Sequence, residues 1–308
     1  EVLSDADRLH NIRPGWFLLM VVAEALSFVC LWWLMRTLLP QLSLFVAATS
    51  QLTANSVSRV IPGGAAIGGA TMYRMLAVAG INTTQAGGVL AAMSILSTAA
   101  LFAIPAIGAA IAVFGAPIPE GILPVAIASA ALFLLSLVVG IVAIRTTRPL
   151  VFVARQLGHV AHFAGRVFRR SWNIDPDNVV AERDRLVGVL GTRWLSATAA
   201  SGLNWMFDYL VLVAALYAVD ADPRLSLVMV AYASGAVLAM IPITPGGFGF
   251  VEVGLFGVLV LSGISAQDAT VATLAYRVVS FWLPIASGLV AWLLFRRRFP
   301  RRTAPARL

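Results

Sequence analysis

The chain has 308 residues, 60% of them hydrophobic and 12% charged, with a mean hydropathy of +0.89 and a formal net charge of +8. Globular chains run about 45–50% apolar and about 25% charged, so this composition excludes a water-soluble domain. All 22 Lys and Arg residues are arginine, which excludes a lysine-bearing phosphate loop and a Schiff-base lysine. One cysteine, Cys30, and three histidines outside the most apolar runs, His10, His159 and His162, supply no disulfide framework and no metal cluster. No cofactor or metal is expected.

Residues 16–35 are a near-continuous apolar run of about 20 residues, enough for a helix to cross a hydrocarbon core about 30 Å thick. Further long apolar runs follow at 85–114, 122–144, 194–218 and 269–295, which makes five expected crossings. Two other apolar regions, 42–76 and 225–261, are each interrupted by a Pro-Gly-Gly, at Pro62-Gly63-Gly64 and Pro245-Gly246-Gly247. Proline and glycine together end a helix. The halves left over, such as 65–79 and 248–261, are short for a full crossing and match re-entrant segments. The fold class expected is therefore an all-α polytopic membrane protein with two broken-helix hairpins.

The two breaks also mark an internal repeat. Pro62 and Pro245 are separated by 245 − 62 = 183 residues, and Gly80-Ile81 meets Gly263-Ile264 at the same offset. The helix around Glu24 then falls on the one around Asp208, and the run after Gln85 on the run after Asp268. The organisation expected is a first repeat half plus a bridging helix (1–144), a basic connection (145–193) and a second half with a basic tail (194–308), all in one membrane domain.

Nine arginines lie between Arg145 and Arg193 and six between Arg296 and Arg307, each group directly following an apolar run. The positive-inside rule places both on the cytoplasmic side of a bacterial-type cell membrane. Each hairpin contributes an even number of crossings, so counting back from Arg145 puts Glu1 outside and the two halves in opposite orientations. Inverted repeats of this kind are common in secondary transporters. A cytoplasmic N-terminus would need one more helix before Glu1, and such a helix is expected in the native protein. Within the connection, Arg148, Arg155, His159, His162, Arg166 and Arg169 recur at helical spacing with apolar residues between them. That pattern fits an interfacial helix against anionic inner-leaflet lipids at 148–170, or a solvated juxtamembrane helix. Residues 175–185 read as a short polar surface loop.

Charges inside a bilayer are expensive and are functional or paired. The candidates are Glu24 and Asp208 near the middle of helices, Arg59 and Arg74 flanking the first break, Glu252 after the second, and Arg277 well inside the last run. A helix that begins past each Pro-Gly-Gly, at Gly63 and Gly64 or at Gly246 and Gly247, exposes backbone N–H groups and the positive end of its dipole, which attract phosphate or carboxylate. With Arg59, Arg74 and Arg277 these ends would cradle a lipid phosphate. The charges ignore the repeat: at offset 183, Arg74 meets Gly257, Glu252 meets Gly69 and Arg277 meets Ser94. Internal ion pairs, Glu252 with Arg277 and Asp208 with Arg59 or Arg74, are the alternative use of the same groups. Asn204, Gln51, Asn55, Ser56 and Ser58 either line a wet path or satisfy backbone freed by the breaks.

The string from Ile241 to Glu252 (IPITPGGFGFVE), the later Ala275-Tyr276-Arg277, the earlier Arg59 to Gly64 with Arg74, and Asn204-Trp205 resemble the family typified by the membrane flippase region of lysylphosphatidylglycerol synthase. The similarity covers nearly the whole chain, and family members usually carry one more helix before the position of Trp16. The resemblance implies a protein that moves a polar lipid with an anionic headgroup between leaflets, with Glu252 and Arg277 as its motif residues. It implies no synthase activity, because no soluble transferase domain follows Phe295; stand-alone members are associated with glycolipid and polyprenyl-lipid pathways. In this reading Arg277, Arg74 and Arg59 hold the phosphate, while Glu252 and Asp208 balance it or contact a cationic or hydroxylated headgroup. The chain is not expected to be an enzyme. An integral membrane transferase with Asp208 or Glu252 as general base, an ion-coupled solute transporter using Glu24 or Asp208, and a homo-oligomer or partner enzyme stay open.

Overall fold

The computed structural model describes residues 14–61, 63–115, 176–240 and 244–300, together with scattered positions between 127 and 152. The described residues are helices and short turns, without a strand. In chain order the helices are α1 (Pro14–Leu38), α2 (Leu44–Val60), α3 (Gly64–Val78), α4 (Thr83–Gly115), α5 (Pro176–Ala218), α6 (Leu225–Met240), α7 (Phe250–Leu261), α8 (Ala266–Arg277) and α9 (Leu283–Arg298). A single 3₁₀ turn, Pro245–Gly247, separates α6 from α7, and a π turn, Val278–Trp282, joins α8 to α9.

Four helical stretches are long and apolar enough to cross a membrane: Pro14–Leu38, Thr83–Ile104, Val180–Ala218 and Ala266–Arg298. Their large apolar side chains are exposed on the outside, as with Leu18 on α1, Leu195 on α5 and Leu289 on α9. A helix that stays apolar on its outer face has lipid as its solvent. This is the architecture of an all-α, multi-pass membrane protein. The crossing expected at 122–144 and the basic stretch at 148–170 lie, but for a few positions, outside the described residues.

Local chemistry sets the element ends. Ser43 caps α2, its hydroxyl accepting from the Val46 N–H at 3.3 Å. Ile61, the residue before a proline, is extended at φ −107 and ψ 135, so α2 stops there. Thr244 is extended for the same reason ahead of Pro245. The polar loop expected at 175–185 is instead helical from Pro176 onward, as the start of α5. Pro176 is pre-set for a helix's first turn and Asp177 suits its dipole. Tertiary contacts hold the rest: Arg185 forks onto Glu182 at 2.5–3.0 Å and donates to the Leu38 carbonyl at 3.3 Å, tying α5 to the end of α1. The expected boundary near 193 is a kink within α5, where Arg193 departs from helical geometry.

Two antiparallel pairings organise the molecule. α1 runs against α5, through the stacked rings of Trp16 and Tyr217, the Ser27–Asn204 hydrogen bond and the Thr37–Ser196 hydroxyl contact. α2 runs against α9, with Phe45 beneath Arg298, Thr53 on the Gly288 carbonyl and Ser56 on the Ile285 carbonyl. Gly288 permits this closeness, because a Cβ there would stand 2.3 Å from the Ser56 Cβ. Across each break the chain doubles back. Gly64 and Gly68 of α3 lie against Ser58 and Ala54 of α2, and Gly235 of α6 lies against Val251 and Leu255 of α7. Both hairpins are therefore antiparallel, and their tips meet.

Candidate functional site

The tips meet around Phe281. A Cβ on Gly246 would sit 2.4 Å from the Phe281 ring and 2.9 Å from the Arg59 carbonyl, so only glycine lets the second break reach the first. Gly246 also holds φ +57, a left-handed conformation that side chains resist.

Arg277 ends α8 at this junction. Its Nε donates to Glu252 Oε1 at 2.6 Å, an Nη donates weakly to the Gly246 carbonyl at 3.4 Å, and the guanidinium lies 4.1 Å from the Phe281 ring centroid. The second oxygen of Glu252 accepts from the Gly249 N–H at 2.7 Å. Glu252 therefore does two jobs, capping the start of α7 and neutralising Arg277. The α7 N-terminus that the sequence offered to a ligand is already occupied by the chain's own carboxylate. The α3 start carries no side-chain cap: Gly63, at φ +69, is its N-cap residue.

Arg59 ends α2 beside Phe281, 5.8 Å from the ring centroid, and donates to the Ser280 carbonyl. That carbonyl is free because of the sequence. Pro284, four residues on, has no N–H to give it, and the π turn redirects the Leu283 N–H to Val278. An arginine from another helix re-satisfies the acceptor, the usual remedy for proline at membrane depth.

Beside Arg59 lies an acidic pair. Asp208 Oδ2 accepts from the hydroxyls of Tyr232 at 2.5 Å and Tyr276 at 3.1 Å. Glu24 is 3% exposed, interacts electrostatically with Asp208 and Arg59, and its Oε2 has no hydrogen-bond partner among the described residues. The helices α1 and α5 bring these two carboxyls together because they run antiparallel with residues 27 and 204 already bonded. Asn204 gives both its contacts to Ser27, at 2.7 and 3.1 Å, and so locks that pairing. Gln51 Oε1 and Asn55 Oδ1 on α2 are likewise buried oxygens without a partner among the described residues.

Of the residues singled out in the sequence, Glu24, Arg59, Asp208, Glu252, Arg277 and Gly246 are thus gathered into one cluster. Gly247 lies beside it, its Cβ position 2.6 Å from Val251, and Gly64 packs on the Ser58 carbonyl. Of the ion pairs considered, Glu252 with Arg277 is present, whereas Asp208 is bonded by tyrosines. Arg74 is elsewhere. It stands ten residues along α3 from Gly64, about 15 Å at helical rise, and lines a cleft with Arg296 and Arg298. Of the three arginines expected to cradle a phosphate, two, Arg59 and Arg277, lie together at Phe281. Sequence reasoning assigned no role to Tyr232, Tyr276, Ser280 or Phe281. A tyrosine inside an apolar run was the available signal for the first two, since a buried phenol needs an acceptor. Among the described residues no group of three metal-binding side chains occurs.

The family model of the lysylphosphatidylglycerol synthase TM region matches residues 6–288. The chain is also similar to two UPF0104 membrane proteins of Methanothermobacter thermautotrophicus (strain ATCC 29096 / DSM 1053 / JCM 10044 / NBRC 100330 / Delta H). One is 28% identical over 94 residues, 30% of this chain and 27% of the relative. The other is 27% identical over 88 residues, 29% of this chain and 26% of the relative. The matched stretch thus spans about a quarter of each curated relative. No solved structure matches the chain.

Proposed function

We propose that this chain, which belongs to the family of the lysylphosphatidylglycerol synthase TM region, moves a polar lipid between membrane leaflets, its headgroup passing through the cluster around Phe281. The observation that carries the reading is the meeting of two helix-break tips at a set of three carboxyls and two guanidiniums, of which Glu24 and Arg277 are buried, with one Glu24 oxygen unbonded among the described residues. Charge of that density inside a bilayer belongs to a permeation path more often than to packing. Arg277 and Arg59 are the phosphate donors in this reading, and each already has a partner in the resting state, Glu252 and the Ser280 carbonyl. An arriving phosphate exchanges for those partners, and the released Glu252, with Asp208 and Glu24, meets the cationic or hydroxylated part of the headgroup. The acyl chains stay in the surrounding lipid.

Element bounds support a repeat in inverted orientation. Val78 and Leu261 end α3 and α7 at an offset of 261 − 78 = 183, and Thr83 and Ala266 start α4 and α8 at the same offset. Gly80 and Gly263 share φ near +90. The open end of the α2–α3 hairpin lies with Phe45, Arg74 and Arg298, whereas α6 leaves the end of α5 near Tyr217, at the opposite end of the bundle. Two re-entrant hairpins opening to opposite sides would expose the cluster to each leaflet in turn when the halves rock. With the arginine-rich end in the cytoplasm, the Trp16 end of α1 faces outward.

The test is translocation of headgroup-labelled lipid in proteoliposomes, with and without a proton gradient. Arg277→Ala and Glu252→Gln proteins that remain monodisperse are expected to move lipid at least about tenfold more slowly, the effect of one lost charge-assisted contact. Normal rates in both would overturn the reading. Product formation from a lipid-linked donor would point instead to a transferase, and Glu24-dependent uptake of a water-soluble solute to a coupled transporter.

A further inference from the structure

A second group of arginines lies far from Phe281, where α3 and α9 end together. Arg74, Arg296 and Arg298 line a cleft of about 1150 Å³ whose walls include Trp292, Phe295 and Val78, and none of the described residues that line it is acidic. Arg277 and Arg185 have carboxylate partners; Arg74, Arg296 and Arg298 have none among the described residues. Two of the three are held by rings instead, Arg296 at 4.7 Å from the Trp292 centroid and Arg298 at 4.8 Å from Phe45. A guanidinium lying over an aromatic ring is positioned while its N–H edge stays available, so little order remains to be imposed when an anion binds. The cleft is continuous with lipid-facing surface, since Val78, Leu293 and Leu294 are 60%, 47% and 45% exposed.

The geometry points to this cleft as a binding site for the phosphate of an anionic phospholipid of the adjoining leaflet, distinct from the cluster around Phe281. The lipid's phosphodiester takes the arginine edges, and its glycerol and acyl chains follow Trp292 and Phe295 out along α9. Charge complementarity selects an anionic headgroup over a zwitterionic one, and the apolar walls select a lipid over a free anion. The inference needs a chain seated in a membrane but not that it translocates lipid, so it stands or falls on binding alone.

The probe is phosphatidylglycerol, titrated into phosphatidylcholine nanodiscs carrying the whole chain, with bound lipid counted by mass spectrometry. Arg74→Gln with Arg298→Gln is expected to weaken retention about tenfold or more, as two charge-assisted contacts are lost. Arg224→Gln, at the opposite end of the bundle, is expected to leave it unchanged. An unaltered affinity in the double variant would overturn the site. So would an equal loss in Arg224→Gln, the sign of a general charge effect, or equal displacement by inorganic phosphate, the sign of a free-anion site. Independently of any variant, a photoactivatable phosphatidylglycerol on the unmodified protein is expected to label peptides spanning 71–78 and 292–300. Absence of adducts there would also overturn the site.

Discussion

The two breaks share Pro-Gly-Gly yet are stabilised by different means. In the second, the α7 start is capped by Glu252, whose other oxygen takes Arg277, and the Gly246 carbonyl faces the same guanidinium. In the first, no side chain caps α3; the turn closes by contact, with a Cβ on Gly64 landing 2.0 Å from the Ser58 carbonyl oxygen, and its charge, Arg59, reaches across to Ser280. One tip is held electrostatically and the other by packing. Equal backbone signals therefore bring two helix ends together, while unequal side chains make the junction asymmetric.

The sharpest way to break this comparison is Arg277→Ala. It strands Glu252, whose side chain is 22% exposed, and is expected to destabilise the protein by about 2–4 kcal/mol, below the full penalty for a completely buried pair because of that exposure. Thermal unfolding in detergent, followed by tryptophan fluorescence, measures it. An undisturbed transition would mean that the second tip does not depend on charge.

Alanine at the glycines sharpens the contrast. Gly246→Ala must displace Phe281 and strain φ +57, and is expected to lose about 2–3 kcal/mol. Gly63→Ala meets open space at φ +69 and is expected to lose about 1 kcal/mol from backbone strain alone. Equal losses in the same melting experiment would show that the second tip is not wedged against Phe281. The smallest effect belongs to Tyr232→Phe. Asp208 keeps Tyr276, so the loss is expected near 1 kcal/mol, and Tyr232→Phe combined with Tyr276→Phe is expected to exceed the sum of the singles because both hydroxyl donors are then gone.

Much of this was legible in the residues. The four described crossings sit where apolar length put them, and both breaks sit at the Pro-Gly-Gly motifs, since proline's missing N–H and glycine's freedom act within a few residues. The pairing of Glu252 with Arg277 was also considered from sequence, because two charges in an apolar chain have few partners. By sequence alone the helix from Pro176 reads as a loop, for the opposite reason. Its polar residues look solvated one by one, and only the Arg185 fork onto Glu182 and the Leu38 carbonyl makes them structural. By sequence Arg74 groups with Arg59 and Arg277 because all three lie near breaks or inside apolar runs, but ten residues of helix carry it away from the tips.

Composition and local backbone chemistry thus determined that this chain lives in a membrane, where its helices start and stop, and which few charges lie inside. Those are short-range consequences of burial in hydrocarbon and of proline and glycine geometry. Which charges face one another was decided by tertiary structure. The antiparallel pairing of α1 with α5 set Glu24 against Asp208, and the Pro284 π turn freed the Ser280 carbonyl for Arg59. The close approach at Gly246 brought the two tips onto Phe281. Contacts between residues more than 180 positions apart in sequence depend on helix packing, and no local pattern encodes them.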